Sequence, residues 1–218
     1  MRRKTFDLIL TMGGAGLVVV LLAAGALGLW AVNWTNTNVH NQLAAQKIQF
    51  PPAAALATAK NPPPGGFSEI TPAMVPYLKP YAGQWVTTGP QAETYADHFI
   101  YNHLQQIGGG LTYSQLSAKA MALTPGSAAY TAAESTVETV FKGTTLRGLL
   151  LEAYGFWTLG EVALWASIVA FILAGIMALL SVLGFAHWRR TSEDQEFPKP
   201  HRNGLAETKA EGKELAGV

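Results

Sequence analysis

The chain has 218 residues, of which 49% are apolar and 13% are charged, and its formal net charge at pH 7 is +1. This composition is richer in apolar groups than most soluble domains, and it gives no electrostatic reason to expect a nucleic-acid partner. The chain contains no cysteine, which excludes disulfides, thiolate metal sites and cysteine nucleophiles. The composition therefore favours a membrane protein, and the lipid bilayer is its first expected partner.

Two charge-free apolar runs predict two transmembrane helices. The runs cover residues 8–32 and 162–186, and each has 25 residues. A helix of that length spans about 38 Å, which exceeds the roughly 30 Å of a hydrocarbon core. Since signal peptides have apolar regions of only about 7–15 residues, we expect the first run to remain as an uncleaved helix.

Basic residues beside the two runs predict the topology. Arg2, Arg3 and Lys4 precede the first run, and Arg189 and Arg190 follow the second. Because cytoplasmic flanks are rich in Lys and Arg, both termini are expected in the cytoplasm, with the protein in the plasma membrane. The predicted organisation is a cytoplasmic N-terminus (1–7), a transmembrane helix (8–32), an extracytoplasmic domain (33–160), a second transmembrane helix (161–187) and a disordered cytoplasmic tail (188–218).

The extracytoplasmic domain is predicted to contain a proline-rich extended segment at residues 50–81. Eight of the 12 prolines lie between residues 51 and 80, and proline excludes long helices, so at most a short helix at 71–77 is expected. The first helix is expected to extend through about residue 48. The apolar residues of the proline-rich segment that we expect to pack along the helices are Phe67, Ile70, Met74, Val75 and Tyr77.

Capping residues and apolar spacing predict that the rest of the domain is helical, so the fold class is mainly α. Thr88 is the expected N-cap of a helix that ends at residues 108–110, and Thr112 with Gln115 forms the capping box of a helix to about residue 123. A third helix is predicted from about residue 128 to 141, where Gly143 ends it and Thr144 starts the last helix. The apolar stripe of the first of these helices comprises Ala92, Tyr95, Ala96, Phe99, Ile100, His103, Leu104 and Ile107. We expect a shared core of Phe99, Ile100, Leu104 and Phe141.

Four residues are weak candidates for a polar site: Asp97, His98, His103 and Glu161. The two histidines are five residues apart, which places them about 140° apart around a helix, so they do not readily share a metal ion. No metal, cofactor or catalytic residue is therefore predicted. We expect His103 to be a hydrogen-bonded structural histidine, Asp97 and His98 to be solvated, and Glu161 to lie at headgroup level, with a contact to a partner's cation or a proton site as its functional alternative.

Small residues recur in both apolar runs. Ala166, Ala170, Ala174 and Ala178 are four residues apart in the second run, and Gly16, Ala24 and Gly28 lie on one four-residue row of the first. Such rows let helix backbones approach closely in lipid. Either the two spans pack on each other through these rows, or one row is reserved for another membrane protein.

Four motifs resemble a family of uncharacterised actinobacterial two-pass membrane proteins. They are QLAAQKIQFPP (42–52), YAGQWVTTGPQAETYADHFIYNHL (81–104), TYSQLSAKA (112–120) and FKGTTLRGLLLEAYGFWTLG (141–160). The resemblance implies a two-pass fold in the plasma membrane and no catalytic residues. Some members are labelled aromatic-ring-opening dioxygenases; that label implies a soluble enzyme and is discounted here, because no fitting metal constellation is present.

The sequence favours a non-enzymatic accessory or scaffold protein that associates laterally with itself or with a larger membrane complex. The absence of catalytic motifs and the rows of small residues support this interpretation. The alternatives are an extracytoplasmic sensing or ligand-binding module, and an envelope enzyme that uses His98 or His103.

Overall fold

The computed structural model describes residues 3–190, which are mainly helical, as predicted. In chain order the helices are α1 (Arg3–Gln46), α2 (Ala53–Ala57), α3 (Val75–Leu78), α4 (Gly89–Thr94), α5 (Tyr101–Gly108), α6 (Tyr113–Met121) and α7 (Ala128–Arg190). A 3₁₀ turn at Lys79–Tyr81 follows α3, and a π-helical segment at Tyr95–Ile100 joins α4 to α5. Within residues 3–190 the only β pairing is one isolated antiparallel bridge between Gln49 and Trp85.

Two helices are long and apolar enough to cross a membrane. They are α1 and α7, whose most apolar windows have mean hydropathies of 2.4 and 2.7. Helix α7 has 63 residues and passes through Gly143 without a break, so the predicted helix end at Gly143 is wrong. A glycine inside a helix costs about 1 kcal/mol relative to alanine, and a helix of this length that packs along its course tolerates that cost.

The chain forms two compact units. The terminal unit comprises Met1–Ala24 and Val169–Val218, of which residues 3–24 and 169–190 are described; the central unit comprises Gly25–Ile168. The predicted tail therefore lies outside the described residues from 191 onward. In the terminal unit the two helices approach closely through small residues: a Cβ atom built on Gly14 lies 2.6 Å from the Ser181 hydroxyl, and one built on Gly184 lies 2.9 Å from the Thr11 hydroxyl.

The core of the central unit is built largely from the proline-rich segment and the residues beside it. It comprises Val39, Leu43, Phe50, Leu56, Ile70, Met74, Leu78, Val86, Ala92, Ala96, Ile100 and Leu150. Ile70 and Met74 are buried, and Phe67 and Tyr77, although each is about half exposed, contact the rings of His103 and His98, so these residues pack along the following helices as predicted. The short helix α2 was not predicted; it begins directly after Pro52, whose backbone is extended, and Leu56 anchors it in the core.

Two predicted helix starts in the central unit are confirmed, at Thr88 and Thr112, whereas the start predicted at Thr144 is wrong because α7 already runs through that residue. Thr88 caps α4 in a capping box with Gln91, and Thr112 caps α6 in a capping box with Gln115. Each box satisfies backbone amides that the first helical turn leaves without partners.

The shared core predicted for α5 and α7 forms only in part. Ile100 is 7% exposed, Phe99 and Leu104 are half-buried, and Phe141 is 53% exposed. Because α7 continues as a helix, the inward position at this level belongs to Val140, which is 3% exposed. Phe141 instead contacts the Tyr113 ring, with the ring centroids 5.5 Å apart.

Candidate interaction site

The π-helical segment carries two of the predicted polar candidates, and both have structural partners. The Arg147 guanidinium on α7 lies 2.6 Å from Asp97 Oδ1, and it also covers the Tyr101 ring at 5.2 Å from the ring centroid. Both side chains of the ion pair are about one-third exposed, at 32% and 36%. Asp97 is therefore paired rather than merely solvated, and the pair connects the π-helical segment to α7.

His98 and His103 are held by aromatic rings. The His98 ring stacks on Tyr77 with centroids 3.5 Å apart and an angle of 4° between the planes, so it is not simply solvated. His103 Nε2 lies 2.6 Å from the Glu69 carbonyl oxygen, and the ring contacts Phe67 and Phe99. Among residues 3–190 no three His, Cys, Asp or Glu side chains are placed to hold a metal ion.

Tyr95 lies in the aromatic cluster beneath this segment. Its ring contacts Phe50 edge-on at 5.3 Å and Phe99 at 4.7 Å. Burial, together with the negative charge of Glu69, raises the pKa of Tyr95 from 10.0 to about 12. Tyr95 is thus a neutral core residue over the physiological range, and the aromatic cluster serves packing.

A groove of about 390 Å³ lies between α1 and α7 in the central unit, and we call it the α1–α7 groove. No sequence pattern pointed to it, because it needs both helices side by side. The residues that line it are Trp34, Thr35, Asn38, Val39, Gln42, Leu43, Gln46, Ile48, Leu146, Leu149, Leu150, Glu152, Ala153 and Phe156. Leu149 is 58% exposed and Phe156 is 48% exposed. A concave surface with grouped apolar side chains and a few polar ones is the usual form of a binding site.

The two walls of the groove differ in polarity, and each wall keeps its character along its whole length. Asn38, Gln42 and Gln46 recur every four residues on α1 and form a stripe of neutral amides. The opposite wall, on α7, presents apolar side chains spaced by three or four residues: Leu146, Leu149, Ala153 and Phe156. Glu152 is the one charged residue among those that line the groove, and no hydrogen bond or ion pair engages it within residues 3–190.

A second, more open depression lies on another face of α1. It measures about 440 Å³ and is lined by Asn36, Thr37, Val39, His40, Asn41, Thr87, Thr88 and Trp157. Its side chains are mainly polar, whereas most side chains of the α1–α7 groove are apolar. Of the two depressions, the groove is therefore the one that water covers less favourably.

The fourth polar candidate, Glu161, is half-buried on α7 in the central unit. It does not line the groove, and within residues 3–190 it makes no hydrogen bond or ion pair. The structure therefore does not bring Glu161 together with the other three candidates.

The small residues predicted to pack helices fall into two groups. Ala174 is 2% exposed, Ala170 and Ala178 are half-buried, and Gly28 approaches Ser167 in the central unit. The exposed ones are Gly16, Ala24 and Ala166, so within this chain the four-residue rows do not form the contact as a whole.

The contact on α7 instead follows a seven-residue repeat. Gly160, Ser167, Ala174 and Ser181 are seven residues apart, and each is buried or half-buried. Side chains seven residues apart lie only about 20° apart around the helix axis, whereas side chains four residues apart lie about 40° apart. A seven-residue repeat therefore stays on one face of a helix for longer. The repeat was missed because it mixes Gly, Ser and Ala. Ser167 fits an apolar stretch because its hydroxyl donates to the Ala163 carbonyl at 2.7 Å.

Comparison with protein-family models, with curated proteins and with solved structures finds no match for this chain. The resemblance to actinobacterial two-pass membrane proteins therefore stays an expectation from sequence motifs.

Proposed function

We propose that this chain is an integral membrane accessory protein that binds part of a larger plasma-membrane complex through its central unit. The observation that carries the proposal is the α1–α7 groove, whose α7 wall exposes Leu146, Leu149 and Phe156. Leu146 and Leu149 lie at least 12 residues before the predicted second span at 161–187, about 18 Å along the helix, so the acyl chains of a bilayer do not account for the exposure of these two residues. A partner that covers them gains the free energy of removing apolar surface from water.

The character of the two long helices supports a setting in the membrane. Only 6% of each helix's most apolar window is buried inside the molecule, whereas the core helix of a soluble protein is largely buried. Side chains such as Leu10, Val19, Ile172 and Leu179 are all more than half exposed. Hydrocarbon is the surrounding that makes such exposure favourable.

The polar candidates support an accessory role over an enzymatic one. Asp97 pairs with Arg147, His98 stacks on Tyr77, and His103 bonds to the Glu69 carbonyl. These contacts place the three side chains in the packing of the central unit, and none of the three lines either of the two depressions described above.

The experiment that tests the proposal compares complexes extracted from native membranes with a mild detergent. The wild-type chain, a Leu149→Asn variant in the groove, and a Phe141→Asn control on the same helix outside the groove are separated by size without denaturation. We expect the wild type and the control to migrate in one assembly much larger than the chain, and Leu149→Asn to be released from it. A wild-type chain that migrates alone would contradict the proposal.

A second candidate function is an extracytoplasmic sensing module, which the continuity of α7 from Ala128 to Arg190 favours. An uninterrupted helix transmits a shift or rotation along its length. The two functions differ in what loss of the partner does to the terminal unit. A sensor predicts that Leu149→Asn changes the rate at which cysteines placed at Thr11 and Gly184 form a disulfide, and an accessory protein predicts the same rate with and without the partner.

A further inference from the structure

The polarity of the α1–α7 groove defines the kind of partner that fits it, and this inference rests on the accessory function proposed above. We infer that the groove receives an amphipathic helix from another membrane protein. The apolar stripe of that helix packs on the α7 wall, its polar face meets the α1 amides, and it carries a lysine or arginine at the level of Glu152.

The lengthwise division of polarity favours a helix over a lipid. Asn38, Gln42 and Gln46 run along one wall, while Leu149 and Phe156 belong to the other. A lipid changes polarity from end to end, so an acyl chain in the groove would leave the exposed Gln42 and Gln46 amides without hydrogen bonds, whereas the Asn38 amide already donates to the Trp34 carbonyl. An amphipathic helix changes polarity around its axis, and its two faces match the two walls.

The dimensions of the groove fit a short helical segment. At 1.5 Å per residue, the α7 wall from Leu146 to Phe156 is about 15 Å long, which corresponds to about three turns of a partner helix. Three turns present apolar side chains at i, i+3 or i+4, and i+7, the usual anchors of a helix bound in a groove. These anchors meet exposed side chains of matching spacing, because Leu149 and Phe156 are themselves seven residues apart.

Glu152 gives the interaction its charge preference. Its carboxylate is exposed, lies among the groove residues, and has no cation beside it within residues 3–190. The amides on the opposite wall both donate and accept hydrogen bonds, so they accept neutral polar groups of either kind. A basic side chain at this level gains the attraction of Glu152, while an acidic one is repelled, which selects both partner and register.

The test uses the full-length chain in its native membranes with a photo-crosslinking amino acid at position 149. The matched control carries the same amino acid at position 141, because Phe141 is an exposed apolar residue of α7 outside the groove. Fragment mass spectrometry then identifies the segment crosslinked to each position. In the final step, Glu152→Lys is combined with a substitution in the partner that replaces the basic residue of that segment by an acidic one.

We expect position 149 to crosslink one defined segment with apolar residues spaced by three or four and a Lys or Arg, and position 141 to give none of it. Glu152→Lys should lower the yield of the crosslink from position 149 about tenfold. Replacing the partner's basic residue by an acidic one should restore that yield. Crosslinks to lipid, to a second copy of this chain, to a segment without this pattern, or to nothing would each overturn the inference. If the large assembly persists in any of these cases, the accessory function survives and only the occupant is wrong; if the assembly is also absent, both fail.

Discussion

The Leu104 side chain packs directly over Gly143, so that a Cβ atom built on Gly143 lies 2.6 Å from Leu104 Cδ2. This contact gives Gly143 a role other than the one its sequence suggests. Instead of ending a helix, the glycine opens a notch in α7 that receives a side chain from α5. Small residues inside helices serve this purpose where another element approaches closely.

Alanine substitutions at two glycines of α7 distinguish a packing role from simple helix weakness. A Cβ atom at Gly148 meets nothing within 4 Å, so Gly148→Ala is expected to raise the free energy of unfolding by about 1 kcal/mol through helix propensity. Gly143→Ala gains the same propensity but must displace Leu104, so it should be less stable than Gly148→Ala by about 1 kcal/mol or more. Thermal unfolding of the two variants in one detergent, followed by circular dichroism, measures the difference. Equal gains would show that the notch is unimportant.

A second close approach predicts a larger loss of stability. A Cβ atom on Gly89 would overlap the Cβ and ring atoms of Trp157, and neither the start of α4 nor the indole has an easy way to yield. Gly89→Ala should therefore lower the free energy of unfolding by about 1–3 kcal/mol. Gly155→Ala is the control, because a Cβ atom there meets open space. The prediction is wrong if both variants unfold at or above the wild-type temperature.

Tyr95 predicts how stability changes at high pH. Its folded-state pKa of about 12 lies above the ordinary tyrosine value of 10.0, so between these values the folded state holds a proton that the unfolded chain loses. The stabilisation is complete below pH 10 and is lost as pH rises towards 12. Unfolding temperatures of the wild type should fall more steeply over this window than those of Tyr95→Phe, which does not titrate. Parallel curves for the two proteins would contradict this account.

The sequence predicted well what depends on neighbouring residues. The capping boxes of Thr88 and Thr112 and the apolar lengths of α1 and α7 are local signals, and the structure contains them. It failed where a distant contact decides, as at Gly143, or where proline content suggested an extended chain although helix α2 forms and buries Leu56. The α1–α7 groove also depends on distant contacts, because its walls are about a hundred residues apart in sequence.

The seven-residue repeat of α7 predicts which alanine the helix contact needs. Cysteines that replace Thr11 and Gly184 should form a disulfide, because the Thr11 Cβ lies 3.9 Å from the Cβ built on Gly184, close to the usual separation of about 3.8 Å. Ala174→Leu adds bulk at a residue that is 2% exposed, so it should slow this crosslink. Ala166→Leu, at an exposed position of the same helix, should leave the rate unchanged. If both variants slow the crosslink equally, the four-residue row is the better description; if neither slows it, Ala174 is not needed for the contact and the repeat is contradicted as well.

The side of the membrane on which the central unit lies tests the account most directly, and the absence of native cysteine makes the measurement clean. Met121 is 77% exposed and lies outside the groove, so Met121→Cys stays open to reagents whether or not a partner is bound. Ser192→Cys reports the opposite side, from the C-terminal segment. With a membrane-impermeant thiol reagent, we predict that intact cells label Met121→Cys alone and that Ser192→Cys reacts only after permeabilisation. Equal labelling of both positions in intact cells, or of neither, would contradict a two-pass protein that presents its groove outside the cell.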